Sequence, residues 1–125
     1  MSKMNALVVD DSRTVRSILK GYLSEAGFNV FEAANGRQGL EVLEAMDSAE
    51  IALIDWNMPE MNGLELVKAI RSQDRFRDLP LMMVTTETEM ERMSLAFIAG
   101  VNEYLMKPFD KPSVLEKLAI LGVGI

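Results

Sequence analysis

The chain has no cysteine and no histidine among its 125 residues, and it carries only four prolines and one tryptophan. Without cysteine there are no disulfides, no thiolate metal ligands and no thiol nucleophile. Without histidine the commonest general base and the commonest transition-metal ligand are gone, and so is any phosphohistidine position within the chain. Chemistry here has to run on carboxylate, hydroxyl and amine. Long apolar runs are missing too. The longest extend over a few residues, far short of the ~20 needed to cross a bilayer, and Met1-Ser2-Lys3-Met4 lacks the apolar stretch of a signal peptide. A cytoplasmic protein that engages no membrane is expected. Positive charge is in deficit: thirteen basic against nineteen acidic residues leave a net charge of -6, which argues against direct nucleic-acid binding. Arg13, Arg16 and Lys20 recur at helical spacing and read as a solvated helix face rather than a binding patch.

A length of 125 residues supports one domain with one core, taken as spanning 1–125 with no effector domain. Hydrophobic residues at 49% and charged residues at 26% fit a globular chain. Strand and helix patterns alternate from end to end, the mark of βαβ units around a parallel sheet. Strands are predicted near 5–9, 29–33, 50–54, 80–84 and 102–106. Ser12 can cap a first helix in which Val15, Ile18, Leu19, Tyr22 and Leu23 share a face, and Gly27 supplies its stop. Asn35 can cap a second helix through Leu40, Leu43 and Met46. The segment Asn57-Met58-Pro59-Glu60-Met61-Asn62-Gly63 reads as a loop leading into a helix from about Gly63 to Ser72. Thr88-Glu89-Met90-Glu91 matches a capping box and opens a helix to Ala99, stopped by Gly100. Asp110 caps a last helix, where Pro112 falls in the tolerant first turn, and the helix fades at Gly122.

Four apolar runs end on residues that can handle a metal or a phosphate: Val8-Val9-Asp10-Asp11, Leu53-Ile54-Asp55, Val84-Thr85-Thr86 and Leu105-Met106-Lys107-Pro108. In open α/β sheets, ligands bind outside the carboxyl ends of the strands. If the first and third strands are neighbours, the carboxylates of Asp10, Asp11 and Asp55 crowd together and repel unless a cation intervenes. Mg²⁺ suits such a site, because it takes oxygen ligands and commonly pairs one or two carboxylates with waters and a phosphate oxygen. Asp10-Asp11 alone could equally begin a turn and help Ser12 cap the helix. Asp55 at a second strand end favours the site. A carboxylate is also a usable nucleophile toward phosphorus once the incoming charge is neutralised. Lys107 offers an ammonium and Thr85 a hydroxyl for phosphoryl oxygens. Each of these two has an ordinary explanation in a turn or a strand, and it is their joint appearance at successive strand ends that weighs.

The segments Val8-Val9-Asp10-Asp11-Ser12, Asp55-Trp56-Asn57-Met58-Pro59-Glu60-Met61-Asn62-Gly63, Met83-Val84-Thr85, Ala99-Gly100 and Tyr104-Leu105-Met106-Lys107-Pro108-Phe109 together resemble the receiver domain of two-component response regulators, and most of all its stand-alone chemotaxis branch. The resemblance covers essentially the whole chain. It implies a flavodoxin-like (βα)5 fold, a doubly wound parallel sheet of order 2-1-3-4-5 with helices on both faces. It implies that Asp55 is the phosphoacceptor, that Mg²⁺ is held by Asp11, Asp55, the backbone carbonyl of Asn57 and, through water, Asp10, and that Thr85 and Lys107 hold the phosphoryl oxygens. The Lys107-Pro108 bond is expected to be cis, and cis peptides are essentially confined to X-Pro. Tyr104 matches the family's switch aromatic, which turns inward as the threonine moves toward phosphate; on its own it reads as a tyrosine of an edge strand packed on a helix. Met90, Met93 and Phe97 fall on the partner surface, although methionine and aromatics at helical spacing are more often core. Lys117 falls where the chemotaxis regulators contact their motor target. Asn57 and Glu87 match the pair flanking the phosphate. Thr86 departs from the family's usual alanine or smaller residue and narrows access to the acyl phosphate. Asn62 replaces a frequent aspartate at a turn position expected to tolerate it.

The function this implies is a phosphorylation-dependent switch. A sensor histidine kinase or histidine phosphotransfer protein donates the phosphoryl group, and a downstream target, a flagellar motor switch protein among the candidates, reads the face formed by helix 4, strand 5 and helix 5. Catalysis is then limited to self-phosphorylation and self-dephosphorylation. A receiver module cut from a longer regulator is an alternative. An aspartyl-phosphate phosphatase is another, but such hydrolases usually carry a second acid two residues after the nucleophile, where this chain has Asn57. A flavin or nucleotide carrier would need a phosphate-cradling loop after strand one, where Asp10-Asp11 would repel phosphate in the absence of metal.

Overall fold

The computed structural model describes residues 4–124; the leader reading at Met1–Lys3 lies outside them. The elements run β1 (Met4–Val9), α1 (Arg13–Glu25), β2 (Phe28–Ala33), α2 (Gly36–Ala45), β3 (Ile51–Ile54), α3 (Gly63–Arg71), a 3-10 turn at Asp74–Phe76, β4 (Leu81–Thr85), α4 (Met90–Ala99), β5 (Glu103–Met106) and α5 (Lys111–Ile120). All strand pairs are parallel and the order is β2-β1-β3-β4-β5. This is the expected doubly wound, flavodoxin-like fold.

The alternation of side chains along each strand divides the interior in two. Leu7, Val9, Ala52, Ile54, Leu81 and Met83 point to one face, where Leu43 of α2, Leu66, Val67 and Ile70 of α3 and Ala96 of α4 cover them. Ala6, Val8, Ile51, Leu53, Met82 and Val84 point to the other, under Leu19 and Leu23 of α1 and Val114 and Leu118 of α5. The three interior strands β1, β3 and β4 are therefore apolar on both sides, and each fully buried Leu or Ile contributes about 1.5–3 kcal/mol relative to an exposed one. That double burial is what fixes their shared carboxyl edge.

Caps set where most helices begin. Ser12, Asn35 and Asp110 each accept an amide from the first turn of α1, α2 and α5. Two expectations need correction. The capping box is not at Thr88–Glu91: α4 starts one residue later, behind Glu89, which makes no side-chain cap bond. It lies instead at Asn62, whose side chain accepts from the Glu65 amide at 2.8 Å while Glu65 accepts from the Asn62 amide at 3.0 Å. Asn62 is therefore the N-terminal lock of α3 rather than a tolerant turn position. The far ends of α3 and α4 are joined by Arg71, which donates to the carbonyls of Phe76 and Gly100 and to Asn102 Oδ1. Asn102 Oδ1 in turn accepts the amide that opens β4. Gly100 has φ +122°, and a Cβ there would lie 2.7 Å from the Arg71 side chain.

Candidate functional site

Adjacency of β1 and β3 brings the three acids together. The register pairs Val9 with Ile54, so the next residues, Asp10 and Asp55, leave the sheet side by side, and the Asp55 amide donates to Val9 O at 2.9 Å. Oxygens of Asp10, Asp11 and Asp55 all lie within 4.8 Å of one another. Asp10 and Asp55 are buried, 2% and 6% exposed, while Asp11 faces solvent. Asp10 Oδ1 accepts from the Ser12 amide at 2.8 Å, and Asp55 Oδ1 accepts from the Trp56 amide at 2.8 Å. Each buried carboxylate thus has one oxygen fixed by the backbone and one turned to the cluster.

Lys107 arrives from the end of β5, where its amide donates to Thr85 O at 2.9 Å, and the Lys107-Pro108 bond that follows is cis. Its Nζ is 2.8 Å from Asp10 Oδ2 and 3.4 Å from Asp55 Oδ2, so one ammonium is shared by two buried acids. Burial pushes the Asp55 carboxyl above its usual range, and the Asp10 charge adds to that. Lys107, the Thr85 hydroxyl and the Trp56 amide pull the other way without cancelling it. Three carboxylates against one ammonium leave about two negative charges when all are ionised, a surplus that one divalent cation would neutralise. The donors are hard oxygens at the open end of the sheet, with Asp11 on the solvent side. The residues present therefore fit Mg²⁺.

Thr85 ends β4, fully buried, and its Oγ1 accepts from the Glu87 amide at 3.3 Å. Asn57 and Thr86 are exposed and Glu87 half-buried around the mouth of the cluster. Tyr104 is already turned inward, 5% exposed, with its hydroxyl donating to Glu87 O at 2.8 Å and its ring 6.2 Å from that of Phe97. Burial and the neighbouring Glu87 raise its phenol to about 12. Of the expected partner surface, Met93 packs on the core, whereas Met90 at 81% and Phe97 at 44% stand exposed, so those two are not core residues. Lys117 lies on the same side as β5, ion-paired to Glu103 at 3.1 Å.

Two residues of this edge escaped the sequence reading. Arg16, read as part of a solvated face, donates to Asp10 O at 2.6 Å and pairs with Glu32 at 3.2 Å. Its position four residues after the Ser12 cap was the available signal, since that spacing returns a side chain to the helix start. Arg92 reaches from α4 to the Trp56 ring, 5.7 Å from its centroid, and to Glu87 at 3.9 Å. Nothing in its sequence context marks it.

A doubly wound sheet whose carboxyl edge gathers three acids, a lysine and a threonine defines an α/β domain with the donor set for a hard divalent cation. Residues 6–119 match the model of the response regulator receiver domain, and the chain belongs to that family as a CheY-like member of two-component signalling. It is 46% identical over 119 residues to chemotaxis protein CheY1 of Helicobacter pylori, covering 94% of this chain and 96% of that protein. It is 45% identical over 123 residues to the CheY homolog of Campylobacter jejuni, covering 97% and 95%. The structure of the chemotaxis response regulator CheY4 of Vibrio cholerae superposes with a TM-score of 0.90 at 34% identity, covering 96% of this chain and 99% of that one. Receiver domains of this kind are signalling proteins rather than conventional enzymes, and they bind Mg²⁺ at an acidic site. No helix among the described residues is long and apolar enough to cross a membrane.

Proposed function

We propose that Asp55 is the phosphoacceptor of a chemotaxis switch in the cytoplasm. Its carboxylate oxygen attacks phosphorus on the phosphohistidine of a sensor kinase or histidine phosphotransfer protein; the O–P bond forms as the P–N bond breaks, and the imidazole departs with the electron pair. The observation that carries this is the shared ammonium of Lys107 over the buried pair Asp10 and Asp55, inside a cluster spanning 4.8 Å. Asp10, Asp11, Asp55 and the Asn57 carbonyl would hold Mg²⁺, which when bound neutralises the carboxylates and the incoming phosphoryl oxygens. Lys107 and Thr85 take phosphoryl oxygens, and Asn57, Thr86 and Glu87 govern how water reaches the acyl phosphate. Because Thr85 and Tyr104 both bond to Glu87, a move of the threonine toward phosphate is felt by the tyrosine and by the surface of Met90, Met93, Tyr104 and Lys117. A target such as a flagellar motor switch protein would read that surface.

The test is an intact-mass measurement after incubation with Mg²⁺ and acetyl phosphate. Wild type gains the mass of one phosphoryl group, and Asp55→Asn gains none. Equal labelling of the two proteins, or no labelling of wild type by a competent donor, defeats the assignment.

A further inference from the structure

Arg92 joins the two loops that flank Asp55. On one side its guanidinium carbon lies 5.7 Å from the ring centroid of Trp56, the residue whose amide holds Asp55 Oδ1. On the other, its Nε is 3.9 Å from Glu87 Oε2, at the outer limit of an ion pair. The backbone of Glu87 is pinned twice, by its amide to Thr85 Oγ1 and by its carbonyl to the Tyr104 hydroxyl. Arg92 is nearly half exposed, and it stands in the first turn of α4, the helix without a side-chain cap. A half-exposed pair at this distance is weak and readily given up. Lys107, by contrast, is already shared between Asp10 and Asp55.

We propose that Arg92 is a phosphoryl-responsive contact that exchanges its carboxylate partner, Glu87, for the phosphoryl group on Asp55, and so carries the charge change at Asp55 into the first turn of α4. Phosphorylation replaces one negative charge on Asp55 with about two, held further out from the sheet. A guanidinium prefers such an oxygen-rich, planar-accessible anion to a single distant carboxylate, and it offers several donors at once. Arg92 slides off Glu87 while keeping its contact with the Trp56 face, and the uncapped first turn follows it. Met90, two residues earlier and 81% exposed, moves with that turn. The inference rests on the reading of Asp55 as phosphoacceptor.

The probe is beryllofluoride with Mg²⁺, which stands in for the phosphoryl group, with the midpoint read from Trp56 emission. Arg92→Ala raises the midpoint about two- to fivefold, and Arg92→Lys recovers most of the loss. Glu87→Gln lowers the midpoint in wild type and lowers it less in the Arg92→Ala background, because part of its effect is the release of Arg92. A second readout does not depend on the midpoint: in the ion-free protein Glu87→Gln shifts the Arg92 Nε–Hε resonance, and after beryllofluoride and Mg²⁺ are added that resonance no longer depends on residue 87. Equal midpoints for wild type and Arg92→Ala, or strictly additive effects of the two substitutions, overturn the proposal. If wild type takes no phosphoryl mass from acetyl phosphate, it is the assignment of Asp55 that fails, so the two failures are distinct.

Discussion

Helices α3 and α4 each follow a strand that delivers a site residue at its carboxyl end, Asp55 just after β3 and Thr85 at the end of β4, yet their first turns are held in opposite ways. The start of α3 is locked. Asn62 and Glu65 cap each other, the Gly63 amide donates to Trp56 O at 2.8 Å, and Gly63 sits so close to β3 that a Cβ would lie 2.1 Å from the Asp55 carbonyl oxygen. The start of α4 has no side-chain cap and shows Met90 to solvent. The loop before α3 must keep Asp55 in one place, and a reciprocal cap with a glycine contact does that. The loop before α4 is tied through Thr85, Glu87 and Tyr104, with the long Arg92–Glu87 pair beside them, and these are the groups proposed to move.

The contrast breaks most severely at Gly63. Gly63→Ala has no room to relax because the obstacle is backbone, so about 3 kcal/mol is lost in urea unfolding and Asp55 is displaced. Next comes a paired comparison of caps. Asn62→Ala costs about 1 kcal/mol, as loss of a working cap does, whereas Thr88→Ala stays within about 0.5 kcal/mol of wild type despite the same sequence signature. A cost at Thr88 equal to that at Asn62 would erase the distinction between the two helices. The effect smallest at neutral pH, because it shows only in alkali, is the alkaline limb of stability. Tyr104 ionises near 10 in the unfolded chain and at about 12 when folded. Between those values the unfolded state has lost the proton and the folded state has kept it, so stability falls as pH rises above 10. Tyr104→Phe removes that part of the slope, and a slope unchanged by the substitution would mean the phenol is not buried beside Glu87 as described.

Strands β1, β3 and β4 were legible because double burial leaves an apolar run that leads straight to a residue the site uses, whereas the edge strand β2, with Asn29 and Glu32 among its apolar residues, leads to none. The 3-10 turn at Asp74–Phe76 was not, since three residues carry no periodicity to read. The two capping-box signatures, Asn62-Gly63-Leu64-Glu65 and Thr88-Glu89-Met90-Glu91, are equivalent as text. What separates them is a tertiary contact, Gly63 against the Asp55 carbonyl, which sets where α3 must begin. At the site, the acids, Thr85 and Lys107 announce themselves by position at strand ends. Arg16 and Arg92 do not, because they come to the site from the sides of helices, and a charged residue on a helix side looks the same whether it faces water or a neighbour's carbonyl.

The clamp made by Arg71 has a bearing on how any message leaves the acidic edge. With its guanidinium tied to the Gly100 and Phe76 carbonyls and to Asn102, the last turn of α4 is anchored to the sheet through the residue that also receives the first amide of β4. A helix held this way is hinged like a door: a push near Met90 would swing it about its anchored end at Ala99. Any displacement of α4 passed to a binding partner would then be graded along its ten residues, greatest at the Asp55 end and least at the opposite rim of the domain.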